Sequence, residues 1–445
     1  MGESRKKAIE IVRRLREAGH EALFAGGCVR DMLMGNEPSD YDVATSATPE
    51  EVMKLFRRTV PVGAQFGVVL VVFGEKQYEV ATFRSDEGYA DGRRPVGVRY
   101  TSAREDALRR DFTINALFYD PTKDEVIDYV NGRRDIERKI IRTVGDPIER
   151  FKEDKLRMIR AVRFATRFDF EVEPATLQAI KQFSPNITQV SWERIGDEME
   201  RILTGPNRGR ALQLLADTSL LKEILPEVHK MVGVPQPEMH HPEGDVFEHT
   251  KLCLDNLRGT VGGQPGSVLA FATLLHDVGK PLTMEVTDRI RFNSHEVVGA
   301  GIAEKVCRRL RLSAEKCKKI TDIVANHMRF IHAREMRESK LRKMLQRETF
   351  LDELEMHRAD CLASHGNLEI YDFLKQKFES LPEEEVKPLP LITGDDLIAL
   401  GLTPGPLFGE ILRAVEEMQL EGKLRSKDEA IQWVMENHVK KGEGP

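Results

Sequence analysis

Residues 25–45 read AGGCVRDMLMGNEPSDYDVAT, and the pair Asp40 and Asp42 within it constrains the fold more than anything else in the chain. In a strand, side chains at i and i+2 leave the same face, so the two carboxylates converge. Converging carboxylates repel unless a cation or a proton lies between them, and paired oxygens of this kind suit Mg²⁺. Ahead of them, Gly26 and Gly27 separate the strand-like EALFA from a helix-like run, where bare backbone N–H groups can face a phosphate. Arg30, in the first helical turn, is placed to neutralise a triphosphate oxygen. The spacing is neither GxGxxG nor a P-loop, which excludes dinucleotide and Walker-type sites. A bare D-x-D is more often a solvated turn. The double glycine and the Arg30-Asp31 pair ahead of it favour a divalent-metal and phosphate site.

Around this stretch the pattern is α/β. Residues 5–18 put Ala8, Ile11, Val12, Leu15 and Ala18 on one helical face, with Gly19 as the stop. EALFA, YDVAT, GVVLVVF and YEVATF read as strands. Thr48-Pro49-Glu50-Glu51 opens a helix with an N-cap, a proline at N1 and a glutamate at N3. These signals divide the chain into an α/β head (1–145), a helical neck (146–225), a histidine-rich helical region (226–380) and a helical tail (381–445). The Pro/Gly-rich VGVPQPEMHHPEGD and LPEEEVKPLPLITGDD mark the last two boundaries.

With 445 residues, 31% of them charged, the chain has the composition of a soluble multidomain protein. Its longest apolar run, GVVLVVF, is too short to cross a membrane, and its charged N-terminus is not a signal peptide. Five scattered cysteines without a CxxC pair suit a reducing cytoplasm. The net charge of −6 hides an asymmetry, because residues 84–167 carry +4 and residues 366–445 carry −7. An RNA-binding surface is therefore expected to be local and away from the C-terminus.

Two further clusters carry chemistry. RRDFTINAL (109–117) reads as a helix start that Asp111 caps, with Arg110 and Asn115 in reach of phosphate or ribose; alone it would be a solvated turn. EDKLRMIRAVRFATRF (153–168) reads as one amphipathic helix with Arg157, Arg160, Arg163 and Arg167 on one face. The bland reading of that face is a solvated basic stripe. Asp154 and Arg157, three apart, would be helix neighbours and could together read a base. Cytosine and adenine each present an amino donor beside a ring-nitrogen acceptor, which an Asp acceptor next to an Arg donor complements. Guanine and uracil present the reverse and would leave buried groups unpaired, at roughly 1–3 kcal/mol each.

GGCVRD…SDYD, RRDFTINA, DYVNGRRDI, EDKLR and RIGDEMERIL together resemble the class II tRNA nucleotidyltransferases. This is the family of CCA-adding enzymes and bacterial poly(A) polymerases, within the polymerase-β-like superfamily. The resemblance implies an α+β multidomain chain: a polymerase-β-like nucleotidyltransferase head with a mixed sheet and helices, an all-α neck, and helical regions beyond. It implies Asp40 and Asp42 as Mg²⁺ ligands and Gly27, Arg30 and Arg110 near the triphosphate. It also implies Asp111 near the sugar, Asp154 with Arg157 as base template, and Arg160 and Arg163 near nucleotide and primer phosphates. Glu79, in YEVATF, stands either as a third acidic residue of the site or as an exposed strand glutamate. The implied substrates are CTP, ATP and the 3′ end of tRNA.

The histidine-rich region resembles an HD domain, a metal-dependent phosphohydrolase fold, through His249 in FEHT, His276-Asp277 in LLHDVGKP and Asp360 in MHRADCLASHG. Imidazole with carboxylate suits a divalent transition metal. His295 and His327 suit a larger or two-metal site, whereas His240 and His365 are expected to be structural. Within the family, Ala64 and Gln65 replace the Arg-Arg-Phe motif of poly(A) polymerases, which lowers that reading. The loop RSDEGYADGRRPVGVRY (84–100), absent from CC-adding enzymes, favours competence to add A. Asn131-Gly132 replaces the paired glycines common at the hinge. Full CCA addition is thus expected, with A-only addition, then poly(A) synthesis, as alternatives. Outside nucleotidyl transfer, the rivals are an HD phosphohydrolase and a non-catalytic RNA-binding protein.

Overall fold

The computed structural model describes residues 2–63, 66–89, 95–239, 241–260, 263–381 and 389–439. They form two compact units, Met1–Gly233 with Lys305–Ser313, and Val234–Glu304 with Ala314–Pro445. Among the described residues no helix is long and apolar enough to cross a membrane.

The first unit opens with helix α1 (Glu3–Glu17), which buries Ala8, Ile11, Val12 and Leu15. Gly19 ends the turn after it at φ +88°, a conformation costly for any side chain. The sheet that follows uses β1 (Ala22–Ala25), β2 (Val43–Thr45), β3 (Thr59–Gly63), β4 (Val68–Phe73), β5 (Lys76–Thr82), a separate hairpin of β6 (Arg84–Tyr89) and β7 (Pro95–Tyr100), then β8 (Leu117–Asp120) and β9 (Glu125–Asp128). Seven of these strands pair in the order β3-β4-β5-β2-β1-β8-β9. Only β2 and β5 run parallel, so the sheet is mixed.

Helix α2 (Gly27–Leu33) follows β1 directly. Helix α3 (Pro49–Leu55) carries the reciprocal Thr48/Glu51 cap that its sequence announces. The expected loop 84–100 is an antiparallel hairpin in its described part, while Ala64, Gln65 and residues 90–94 lie outside the described residues. Helices α4 (Ala103–Leu108) and α5 (Gly132–Glu137) flank the sheet's later strands in sequence. Then come α6 (Pro147–Glu153), α7 (Arg157–Phe168), α8 (Pro174–Phe183) and α9 (Trp192–Leu203). A two-residue pairing, Ile140–Ile141 with Glu171–Val172, interrupts the helical pattern expected beyond residue 145.

The second unit is helical apart from a short hairpin, Met284–Val286 with Ile290–Phe292. Its helix Ser267–Leu275 is buried from Leu269 to Leu275, which fits an apolar run flanked by Gly266 and His276-Asp277. Two apolar clusters form its later part, one around Phe330, Leu345, Phe350 and Leu374, the other around Leu397, Ile411, Val415 and Val434.

Candidate functional sites

In the first unit a cavity of about 500 Å³ gathers most of the residues the sequence singled out. Asp40 and Asp42 lie in the segment leading into β2 rather than in the strand itself. Val43 pairs with Val80 in the parallel β2–β5 ladder, so Asp42 and Glu79, one residue earlier on each strand, stand side by side. Burial, with the charges of Glu79 and Asp40, pushes the Asp42 carboxyl up to about 6, against the pull of Arg110. Carboxylates crowded at one point favour a cation between them, and their hard oxygens fit Mg²⁺. Asp42 and Glu79 line the cavity; Asp40 is exposed beside it, accepting a hydrogen bond from the Ser39 hydroxyl at 3.1 Å.

The glycines admit the arginines. Gly26 sits at φ +69°, and a Cβ there would stand 2.8 Å from Arg110 Nη1. Arg30 is buried, forked onto Asp31 at 2.9 and 2.8 Å, and donates to Asn115 Oδ1 at 2.6 Å. Its guanidinium lies 4.4 Å from the centre of the Phe168 ring. Arg110 is held by Asp106 at 3.1 and 2.9 Å and donates to the Asn115 carbonyl. Cations anchored this way keep their positive charge aimed at the cavity without reorganising when an anion arrives.

Several readings need correction. Asp111 does not cap a helix. Thr113–Asn115 is a single 3₁₀ turn without a side-chain cap, and Asp111 instead holds Arg160 at 2.9 and 2.6 Å. Burial works to raise its carboxyl, but Arg160 and the Asn115 amide outweigh it and keep it below the usual range. Asp154 and Arg157 are not neighbours on one helix. Asp154 ends α6 in extended conformation, and its carboxylate accepts from the Leu156 N–H at 3.0 Å, breaking the helix before α7. Its charge partner is Arg194 on α9, at 2.6 Å. Arg157 is anchored to Glu153 at 2.6 Å and to the carbonyls of Arg150 and Arg109. Both residues still line the cavity, together with Arg194 and Arg160.

The basic face of α7 is not a solvated stripe. Arg157 and Arg163 are buried, and Glu198, 3% exposed, gathers Arg163 at 2.6 Å, Arg201 at 3.4 Å and Arg160 at 3.6 Å. Arg163 lies outside the lining of the Asp42 cavity and borders a smaller one with Arg167 and Arg201. Asn131 adopts φ +62°, so it supplies the left-handed turn that a glycine would otherwise provide. Gly132 is obligatory where it stands, because a Cβ there would lie 2.1 Å from the Thr113 carbonyl.

The second unit brings His249, His276, Asp277, His295, His327 and Asp360 together. His276 donates through Nδ1 to the Thr273 carbonyl (2.8 Å), His295 to that of Phe292 (2.9 Å) and His327 to that of Val324 (2.8 Å). A carbonyl only accepts, so each Nδ1 carries a proton, and His295 and His327 meet through their Nε2 atoms at 3.1 Å. His249 Nδ1 meets Glu243 at 2.6 Å in the same fashion. The Nε2 atoms converge on carboxylates: His249 at 3.0 Å from Asp360, His276 at 3.2 Å and His295 at 3.4 Å from Asp277. Burial and the neighbouring imidazoles push His327 down to about 3, so it is neutral. Imidazoles oriented through Nδ1 and crowded at Nε2 are the arrangement of metal ligands with their outer partners in place. Beside them opens a cavity of about 740 Å³ with apolar walls that include Phe292, Met328 and Ile331. His365 is an exposed turn residue accepting from the Asn367 N–H and bordering that cavity, and His240 lies outside the described residues.

The residues that sequence reasoning missed are mostly partners. Asp106, Arg109 and Arg194 in the first unit, and His241, Glu243, Lys280 and His357 in the second, act on or line the same sites. For Lys280 a signal existed: it stands three residues after Asp277, whose carboxylate it meets at 2.7 Å.

Comparison with known proteins agrees with the head geometry. Residues 22–142 match the model of a "Poly A polymerase head domain", residues 169–232 that of a "Probable RNA and SrmB- binding site of polymerase A", and residues 298–434 a second domain of tRNA nucleotidyltransferases. The chain is 46% identical over 219 residues to the CCA-adding enzyme of Bacillus licheniformis, an alignment that takes in 49% of this chain and about half (55%) of that enzyme. It is 32% identical to the CCA-adding enzyme of Enterococcus faecalis over 98% of its own length and 97% of that protein's. A crystal structure of the Bacillus stearothermophilus CCA-adding enzyme in complex with CTP superposes with a TM-score of 0.77 at 30% identity, covering 99% of both chains. An α+β head with a mixed sheet, its metal-seeking carboxylates and its anchored arginines, and end-to-end similarity to such enzymes place the chain in the class II tRNA nucleotidyltransferase family, that of the CCA-adding enzymes.

Proposed function

We propose that the protein completes tRNA 3′ ends by adding C, C and A from CTP and ATP without a nucleic-acid template. The observation that carries this reading is the convergence of Asp42, Glu79, Arg30, Arg110, Asp111, Asp154 and Arg157 on one cavity. In it, Gly26, Gly27, Arg30 and Arg110 hold the triphosphate, and Asp111 and Asn115 orient the sugar side. Asp154 and Arg157 select the base by complementing the amino and ring-nitrogen pattern shared by cytosine and adenine. Asp40, Asp42 and Glu79 would hold Mg²⁺, which when bound activates the attacking 3′-hydroxyl and offsets charge on the departing pyrophosphate. Arg160 steadies the phosphates of nucleotide and primer, and Arg163, held by the same Glu198, supports it from outside the cavity. The division into head, neck, histidine-rich region and tail, and a cytoplasmic location, belong to the same reading.

The test uses three transcripts of one tRNA, ending before CCA, after C and after CC. Each is incubated with Mg²⁺ and CTP, ATP or both. Growth of the shortest transcript by C, C and A, followed by a stop, is the expected result. Extension of only the CC-ended transcript by one A would make this an A-adding enzyme, and continued addition of A would make it a poly(A) polymerase.

A second activity is favoured by the oriented imidazoles of the second unit. We infer that His249, His276, Asp277 and Asp360, with His295 and His327 as ligands to a second ion or to phosphate, form an HD-type centre that hydrolyses phosphate esters at damaged RNA 3′ ends. His276→Ala should abolish release of phosphate from such ends and leave nucleotide addition intact.

A further inference from the structure

We propose that Cys253 is a metal ligand of the histidine cluster. It would complete a four-ligand set with His249, His276 and Asp360 that takes a borderline-soft divalent ion such as Zn²⁺ or Co²⁺. The proposal rests on the metal-binding reading of that cluster and adds a ligand outside the H…HD…D pattern.

His249 and Cys253 stand four apart on the helix Val246–Asn256 and so share a face. Cys253 is fully buried, and its Sγ lies 3.3 Å from His249 Nε2. One ligand atom from each of His249, Cys253, His276 and Asp360 falls within 4.8 Å of all the others. Zinc bond lengths in a tetrahedral site put a nitrogen and a sulfur ligand about 3.5 Å apart, and a nitrogen and an oxygen about 3.3 Å apart. The 3.3 Å from Sγ to His249 Nε2 and the 3.0 Å from there to Asp360 Oδ1 are thus close to ligand-to-ligand edges.

The plainer account makes Cys253 a buried thiol donating a weak hydrogen bond to His249. It leaves too much unexplained. His249 donates a hydrogen bond through Nδ1 to Glu243 and His276 through Nδ1 to the Thr273 carbonyl, so in the neutral ring each Nε2 is free to act as a ligand atom. His276 is 2% exposed and its Nε2 has no hydrogen-bond partner. Two imidazole lone pairs, a carboxylate oxygen and a sulfur face one point, and one S–H cannot serve them all. A cation does, with the thiol proton passing to solvent as the ion enters. Sulfur in the set turns its preference away from Mg²⁺ and Mn²⁺, which favour oxygen ligands.

The full-length protein, stripped with a chelator and kept reduced with a phosphine, is titrated with Co²⁺ and followed by absorption. The expected result is a near-ultraviolet thiolate-to-cobalt charge-transfer band that saturates with the histidine-cluster site. Carboxylates of the head cannot produce that band. Cys253→Ser and Cys253→Ala should lose it while keeping visible cobalt bands, and Zn²⁺ affinity should fall by about 10–100-fold or more with Mn²⁺ affinity little changed. The wild-type spectrum needs no variant to fold. Cobalt bands sensitive to His276→Ala but lacking charge transfer would overturn the cysteine ligand and leave the metal reading standing. A band that survives Cys253→Ala would overturn it too, assigning the sulfur elsewhere. Cobalt binding indifferent to His276→Ala would overturn both.

Discussion

The two sites seek cations by opposite constructions. In the head, carboxylates just before β2 and within the neighbouring β5 face one another, and arginines anchored on Asp31, Asp106 and Asp111 surround them. In the second unit the convergent atoms are imidazole nitrogens at buried helix ends, each aimed by a bond on its far side. Hard, partly hydrated oxygens suit an ion exchanged with each nucleotide. Oriented nitrogens, closed in by protein, suit a resident transition metal. On the proposed reading, one chain separates a cation that travels with phosphate from one that stays.

The strongest way to break that contrast is a crossed pair of substitutions. Asp42→Ala should lower nucleotide addition by about 10³-fold or more, equivalent to roughly 4 kcal/mol of transition-state stabilisation, and leave metal retention by the cluster unchanged. His276→Ala should do the reverse. Measuring single-nucleotide extension and metal content on both variants decides it, and addition that survives Asp42→Ala would remove Asp42 from the active site.

Next in size is the arginine scaffold of the first unit. Glu198 is 3% exposed and binds Arg163, itself buried. Removing one partner of a buried pair strands the other charge, typically at about 3–5 kcal/mol. Glu198→Ala should therefore lower the denaturant midpoint of the first unit markedly, while Asp197→Ala, an exposed position on the same helix, should not. Equal, small effects would mean that the scaffold is held by packing alone.

How much of this was legible depends on the distance between partners along the chain. Thr48 and Glu51 cap α3 as read, because both ends of the interaction lie in four consecutive residues. The apolar face of α1 was equally plain. The start of α7 was not. Helical periodicity runs through 153–168, and nothing in it reports that the Asp154 side chain competes for the Leu156 N–H. Arg194 and Glu198 were invisible as partners for another reason: tertiary packing brings them to Asp154 and Arg163, and a charged residue on a helix otherwise reads as solvated. Cys253 did leave a trace, since its spacing from His249 is one helical turn.

A subtler prediction sharpens base choice. Asp154 is shared between Arg194 and the cavity, so Asp154→Ala removes an acceptor that cytosine and adenine need and guanine and uracil do not. Discrimination against GTP and UTP should shrink by about 10–100-fold, the equivalent of one or two unpaired buried groups. Competition assays on a CC-ended transcript measure it. Unchanged discrimination would move base selection away from this pair.

The smallest effect concerns the carboxylate cluster itself. Asp42 titrates near 6 in the folded protein, above the ordinary 3.8, so the metal-free fold binds this proton more tightly than the unfolded chain does. Its contribution is fully present below about pH 4 and is lost as the pH rises through 6, about 3 kcal/mol in all, of which about 1 kcal/mol falls between pH 5 and pH 7. In chelator, the head should therefore be less stable at pH 7 than at pH 5 by a margin that Asp42→Asn removes. Mg²⁺ should remove it as well, because a cation does what the proton did. The histidine cluster cannot mimic this response, since Mg²⁺ is a poor partner for imidazole. Thermal melts at both pH values, with chelator and with Mg²⁺, separate the two sites, and an Mg²⁺ stabilisation that persists in Asp42→Asn would place its binding elsewhere than between these strands.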